Sequence, residues 1–292
     1  MKMRSLIVLA SVLASSSLLA QAVPQAVYAD PPRDSAHPAR MDVLHIPSGG
    51  VRINGVAYVA SGAGLHPTFV FFHGLPGNEK NLDLAQAVRR AGWTAVTINY
   101  RGSWGSPGEF RFGNTLEDAA AVLAFLRDTA NVRKLGIDTR RIVIAGHSMG
   151  GWITALTAAR DHGVAGAILI SAADMSRNGG VPRAQVARGM AGNMESLAGV
   201  SAESMADELI AGSPRWRIAD ALPGLVHVPM LVMTSDDGGA PASDSMVKAL
   251  RGMGNSQIAT VHRPTDHSWS DNRIALESAV IRWLQGLSAR RD

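Results

Sequence analysis

Cysteine is absent from this chain of 292 residues. That excludes disulfide staples, thiolate nucleophiles and cysteine-ligated metals, and it leaves the fold to rely on an apolar core. An excess of either charge is also missing. Lys and Arg number 28 against 24 Asp and Glu, and the basic residues are scattered, with no stripe and no interleaved aromatics. No nucleic-acid partner is expected from that pattern. Metal and nucleotide signatures are missing too. There is no H-E-x-x-H, His262 and His267 lack helical spacing, and no P-loop or dinucleotide glycine pattern occurs. Neither a metal nor a cofactor is expected.

Long apolar runs are absent beyond the N-terminus. The one exception, Leu6 to Ala20, follows Lys2 and Arg4 and is interrupted only by serines. It is short for a membrane span and is followed by small residues suited to cleavage after Ala22 or after Ala29. Residues 1–29 therefore read as a secretory signal, with a periplasmic or secreted product and no stable membrane insertion after cleavage. Removing Lys2 and Arg4 leaves 26 basic residues against 24 acidic ones, a near-neutral mature chain.

What is present is a chain 46% hydrophobic, long enough for one large domain. Residues 30–40, "DPPRDSAHPAR", read as a flexible leader, and 41–292 as the domain. Short apolar runs at "VRINGVAYVA", "PTFVFF", "TAVTIN", "RIVIA", "GAILIS", "PMLVMTS" and "QIATVHR" are expected strands. Helical stretches lie between most of them. "LDLAQAVRRAG" should stop at Gly92, Asn114 with Glu117 suggests a capping box opening "LEDAAAVLAFLRD", and "RIALESAVIRWLQGL" closes the chain. Strands alternating with helices indicate a mostly parallel sheet covered on both faces. Between Ser171 and Pro229 the rhythm breaks. The Met residues there (Met175, Met190, Met194, Met205) suggest adaptable packing over the site, with substrate selectivity carried by that insertion, or else ordinary core between helices.

Gly146-His147-Ser148-Met149-Gly150 stands where a strand ends and a helix begins. Glycines there let the chain cross itself closely and push the Ser148 hydroxyl out above the sheet as a nucleophile. His147 is expected to point elsewhere. A serine needs a base, and the base needs an orienting carboxylate, both from loops at later strand ends. Of the nine histidines only His262 and His267 follow "PMLVMTS". His262 lies inside a strand, so His267, in the loop "PTDHSWSD", is the candidate base. Asp237 is the candidate carboxylate, with Asp236 solvated or capping a turn. The backbone N–H groups of Met149 and Leu75 are the candidate oxyanion donors, with His73 bracing the Leu75 loop.

With "HGLPGNE", "YRGSWGSPGEF", "GHSMGG", "TSDDGGAP" and "DHSWSD" in this order, the chain resembles the α/β-hydrolase superfamily over residues 45 to 290, dienelactone-hydrolase-like and acylaminoacyl-peptidase-like serine hydrolases above all. The resemblance implies an α/β-hydrolase fold with a mostly parallel, eight-stranded-type sheet and a small helical cap insertion at about 172–225. It also implies that Tyr100–Phe110 walls the pocket, first as a structural element, with substrate contact through Trp104 or Phe110 as the alternative. The expected activity is hydrolysis of small-molecule carboxylic esters, with amides or short peptides next. An acyltransferase using the same intermediate, or a catalytically silent binding protein, would share these residues.

Overall fold

A computed structural model of the chain describes residues 22–289. The Leu6–Ala20 run lies outside them. No helix among the described residues is long and apolar enough to cross a membrane.

Eight strands form one sheet: β1 (Arg40–Ser48), β2 (Val51–Val59), β3 (His66–Phe72), β4 (Thr94–Ile98), β5 (Ile137–His147), β6 (Gly166–Ile170), β7 (Met230–Thr234) and β8 (Ile258–His262). Their spatial order is β1-β2-β4-β3-β5-β6-β7-β8. β1 pairs antiparallel with β2, and β2 antiparallel with β4; every later pairing is parallel. Helices α1 (Gln25–Tyr28), α2 (Leu82–Arg90), α3 (Phe112–Arg127), α4 (Thr129–Leu135) and α5 (Met149–Arg160) occupy the first half. The second half holds α6 (Arg183–Ala191), α7 (Ala202–Gly212), α8 (Ile218–Leu225), α9 (Ala240–Gly252) and α10 (Arg273–Ser288).

The continuous apolar runs are explained by cores on both faces of the sheet. Phe69 and Phe71 of β3 pack on one face with Leu84 and Val88 of α2 and Val280 and Leu284 of α10. Val70 and Phe72, one residue out of phase, pack on the other with Val122 of α3 and Trp152 of α5. A side-chain period of two gives each apolar residue a partner layer, and each such burial is worth roughly 1.5–3 kcal/mol.

Two local expectations are corrected. β1 was not anticipated: only Leu44 and Ile46 of its middle point inward, while Met41 and Val43 face solvent, so its apolar pattern does not single out a buried face. Helix α3 begins at Phe112, not at an Asn114 capping box, because the fully buried Phe112 ring anchors the first turn. Asn114 instead donates its amide to the Glu109 carbonyl, and Glu117 pairs with Arg101 at 2.6 Å. Gly92 does close α2, with φ +90°.

Between β6 and β7 the chain forms a 3-10 turn (Met175–Gly180) followed by α6, α7 and α8. Arg183 and Asp207 join α6 to α7 in a bidentate pair at 2.5 and 2.8 Å. The stretch before α7 is stitched to the Tyr100–Phe110 loop: Trp104 N–H donates to Ser196, Ala198 N–H to Gly102 and Phe110 N–H to Ala198. Beneath that loop, the fully buried Asp118 carboxylate accepts from Arg101 Nε at 2.6 Å, from Arg101 N–H at 2.9 Å and from the Ser48 hydroxyl at 2.5 Å.

Removing Asp118 would leave the buried Arg101 with the exposed Glu117 as its carboxylate partner, and the Ser48 hydroxyl and Arg101 N–H without their acceptor. Asp118→Ala should therefore cost about 3–5 kcal/mol in urea unfolding, and a loss below about 1 kcal/mol would show that the pair does not hold the loop.

Candidate active site

The parallel strands β3, β5, β6, β7 and β8 end on one edge of the sheet, and the candidate residues gather there. β5 ends at His147, α5 starts at Met149, and Ser148 between them has φ 57° and ψ −121°. A non-glycine residue is strained in that region and persists only when its surroundings fix it. Here they do. Ser148 N–H donates to Ile170 of β6 at 3.0 Å, and the Ser148 carbonyl accepts from Gly151 and Ala173. The flanking glycines make the crossing possible: a Cβ on Gly146 would sit 2.0 Å from the Gly150 oxygen, and one on Gly150 would sit 1.9 Å from the Phe72 oxygen.

The loop after β3 lies against this elbow. A Cβ at Gly74 would be 3.0 Å from the Ser148 Cβ. His73 Nδ1–H donates to the Gly74 carbonyl at 2.8 Å, the Tyr100 hydroxyl to the His73 carbonyl at 2.9 Å, and the Trp104 indole N–H to Pro76 at 2.7 Å. Among the described residues, no protein acceptor engages the N–H of Leu75 or Met149.

Two loops meet on the far side of β5. Arg263 N–H donates to Thr234 and Asp236 N–H to Thr265, zipping the β7 and β8 exits together. His267 Nδ1–H donates to Asp237 Oδ2 at 2.6 Å. The neighbouring aspartate turns the other way, and Asp236 Oδ1 lies 3.2 Å from His262 Nε2 with both side chains more than half exposed. Burial alone would raise the Asp237 pKa. The hydrogen bonds from His267 and Gly239, the His267 charge and the Ser235 hydroxyl outweigh it and hold the carboxylate below its usual range.

His147, expected to point elsewhere, lies at this edge, and Ser171, Ser235 and Trp269 were not singled out from the sequence. His147 is buried, its Nε2–H donates to the His267 carbonyl at 2.8 Å, and its ring packs on the His267 ring at 4.7 Å. A relay backs Asp237: Trp269 Nε1–H donates to Ser171 Oγ at 3.1 Å, and Ser171 lies 2.9 Å from Ser235. Ser235 in turn helps to hold the Asp237 carboxylate ionised. Ser171 and Trp269 both sit at positive φ, 43° and 59°. "DHSW" gave the local signal for Trp269; the Ser171 contact spans 98 residues and had none.

Burial decides between the readings left open for other residues. Phe110 is 1% exposed and packs edge-on against Phe112 at 5.3 Å, so substrate cannot reach it. Trp104 is half-buried with its indole N–H engaged by Pro76, a brace for the Leu75 loop. Met175 and Met205 are core residues, and Met190 and Met194 pack partly buried against that core rather than lining the groove beside His267. The Ser148 hydroxyl makes no hydrogen bond among the described residues; contacts of this kind often tighten only around substrate. No group of three or more His, Asp or Glu that could hold a metal ion occurs among the described residues.

The profile of the alpha/beta hydrolase family matches residues 69–285. The chain belongs to that family. Solved members of similar fold include an esterase from the archaeon Pyrobaculum calidifontis, 21% identical with TM-score 0.61 over 87% of this chain and 88% of that one. Est1E from Butyrivibrio proteoclasticus, solved with ferulic acid, is 18% identical with TM-score 0.67 over 84% and 99%. The acylaminoacyl peptidase of Pyrococcus horikoshii is 16% identical with TM-score 0.62, matching 85% of this chain and 41% of that one. At these identities the likeness is one of fold. A putative non-heme haloperoxidase of Mycobacterium phage D29 is 33% identical over 126 residues, 42% of this chain, and the match spans 41% of that relative's length.

Burial holds this hydrolase's His73 and His147 neutral, each with its pKa pushed from 6.5 down to about 4. Between those values the unfolded chain binds protons that the folded chain does not, so stability falls as pH drops from 6.5 toward 4. Glu277 works in the opposite sense. Burial, then the nearby Asp83, raises it from 4.5 to about 7, so its contribution is full below pH 4.5 and is lost as pH rises through 7. His147→Gln should make the unfolding free energy less pH-dependent between pH 4.5 and 6.5 by about one proton, or ~1.4 kcal/mol per pH unit. An unchanged slope in denaturant titrations across that window would show that His147 is not held neutral.

Proposed function

We propose that the chain is a serine hydrolase that cleaves carboxylic esters through an acyl-enzyme on Ser148, with amides and short peptides as poorer substrates. The observation that carries this reading is the 2.6 Å bond from His267 Nδ1 to an ionised Asp237. It fixes the tautomer in which Nε2 is the free base, on the same sheet edge as the strained Ser148.

In this mechanism Ser148 Oγ attacks the acyl carbon while His267 Nε2 takes its proton. Asp237 orients the ring and stabilises the imidazolium. The Leu75 and Met149 N–H groups, the second at the positive end of α5, receive the developing oxyanion. The tetrahedral adduct then collapses, the bond to the alcohol oxygen breaks, and His267 returns its proton to that oxygen. Water, deprotonated by His267, releases the acid and restores Ser148. The Pyrobaculum esterase of similar fold supports this choice of substrate class.

Ser148→Ala should lower kcat on an acyl-chain series of esters by roughly 10⁴–10⁶ with the fold intact, and retention of more than about a tenth would refute the mechanism. In the same assays Asp237→Asn should cost on the order of 10³–10⁴ and Asp236→Asn less than about tenfold; the reverse ranking would move the role to Asp236.

We propose further that the chain is exported and cleaved after Ala22 rather than Ala29. The segment beyond Ala22 is bonded to the domain: Arg90 donates to the Ala26 and Val27 carbonyls at 2.5 and 3.0 Å, and Arg89 pairs with Asp30 at 3.1 Å. Intact mass spectrometry of the exported protein should give a chain starting at Val23. A start at Asp30, or retention of the full-length chain in the cytosol, would overturn this.

A further inference from the structure

A groove of about 680 Å³ opens beside the His267–Asp237 pair. Its floor is the exit of β6, with Leu169 and Ala172; Ile218 and Leu222 of α8 form one wall, and Met246 and Ala249 of α9 the other. These surfaces are apolar. The charged side chains on the groove other than the pair are Asp174 and Arg177, both at the 3-10 turn. The Asp174 carboxylate is engaged by the Ser176 N–H and hydroxyl at 3.0 and 2.7 Å. The Arg177 guanidinium has no hydrogen-bond or ionic partner among the described residues, whereas Arg127, Arg141, Arg183 and Arg273 each pair with a carboxylate. This apolar groove thus has both His267 and an exposed, unpaired cation on its lining.

Sheet order decides which half of an ester fits it. β3 and β6 flank β5 on opposite sides. The Leu75 loop leaves β3, placing that oxyanion donor on one side of Ser148. The groove lies over the ends of β6 and β7, on the other side, with His267 on its lining and Ser148 not. In acyl transfer the histidine that deprotonates the nucleophile must reach the leaving oxygen to return that proton, so the leaving group departs on the histidine side.

We propose that this groove is the leaving-group subsite, and that the substrates are esters of elongated apolar alcohols ending in a carboxylate, which Arg177 binds. The proposal rests on the Ser148 acyl-enzyme reading. As the bond from the acyl carbon to Ser148 Oγ forms, the bond to the alcohol oxygen breaks. The proton passes from Ser148 through His267 to that oxygen, and the first product is an apolar hydroxy acid with its carboxylate still ionised. A reaction that esterifies such hydroxy acids must supply this substrate.

The test compares three probes: the acetate ester of para-carboxyphenylbutanol, its neutral para-carboxamide analogue, and the ethyl ester of para-carboxyphenylbutanoic acid, which moves the same group to the acyl side. The carboxylate acetate should exceed the carboxamide acetate in kcat/KM by about tenfold, as a charge-assisted hydrogen bond allows. Arg177→Gln should bring that ratio to about one and Arg177→Glu below one, while Arg188→Gln, an exposed arginine on α6, should leave it as in the wild type. No preference in the wild type, or a preference that survives Arg177→Gln, overturns the role of Arg177. Faster turnover of the acyl-side probe than of the carboxylate acetate overturns the leaving-group assignment. The underlying reading fails separately: it falls only if Ser148→Ala still hydrolyses the carboxamide acetate.

Discussion

The site depends on one close contact, the first turn of α5 lying against the end of β3. Gly150 meets the Phe72 carbonyl with no room for a methyl group, and Gly146 meets Gly150 in the same way. A side chain at either place would lift the helix from the sheet. Ser148 would then be free to relax from its left-handed backbone, and Met149 would lose its place opposite the Leu75 loop. The exposure of Ser148 and the placing of the Met149 N–H opposite the Leu75 loop are therefore one packing problem, solved by two residues that have no side chain. Such exact apposition is what preorganised electrostatic catalysis requires.

The histidine side is held differently, by polar contacts across several strands. Asp237 faces inward and Asp236 outward, so adjacent identical residues acquire different partners, His267 and His262. The relay from Trp269 through Ser171 and Ser235 fixes the inner carboxylate, and His147 holds the His267 backbone. Buried polar networks of this kind are rigid when every member is satisfied.

The placing of Ser148, Asp237 and His267 at one sheet edge was legible in the sequence because each sits just past an apolar strand, where a parallel sheet collects its loops. The long-range parts were not. Nothing local in "SAAD" marks Ser171 as the partner of Trp269, and the edge strand β1 shows too few inward side chains to stand out. Phe110 misled for a related reason: an aromatic in a pocket-wall loop can face either way, and here the stitching of that loop to Ala198 turns it inward. The Met-rich insertion was expected to line the site, but its helices bury those residues and leave α8 and the Arg177 turn at the groove.

The relay to Trp269 also bears on biosynthesis. Ser148 is made when barely half of the chain has left the ribosome, yet His267 and its Trp269 anchor lie near the C-terminus. The β8 strand and the loop beyond it can join only after β7, and that loop's contacts to Ser171 and His147 span 98 and 120 residues, the kind that form slowly. A nascent or truncated chain would thus carry an exposed serine with no base beside it. On the proposed mechanism, the base joins the serine last, with the final strand.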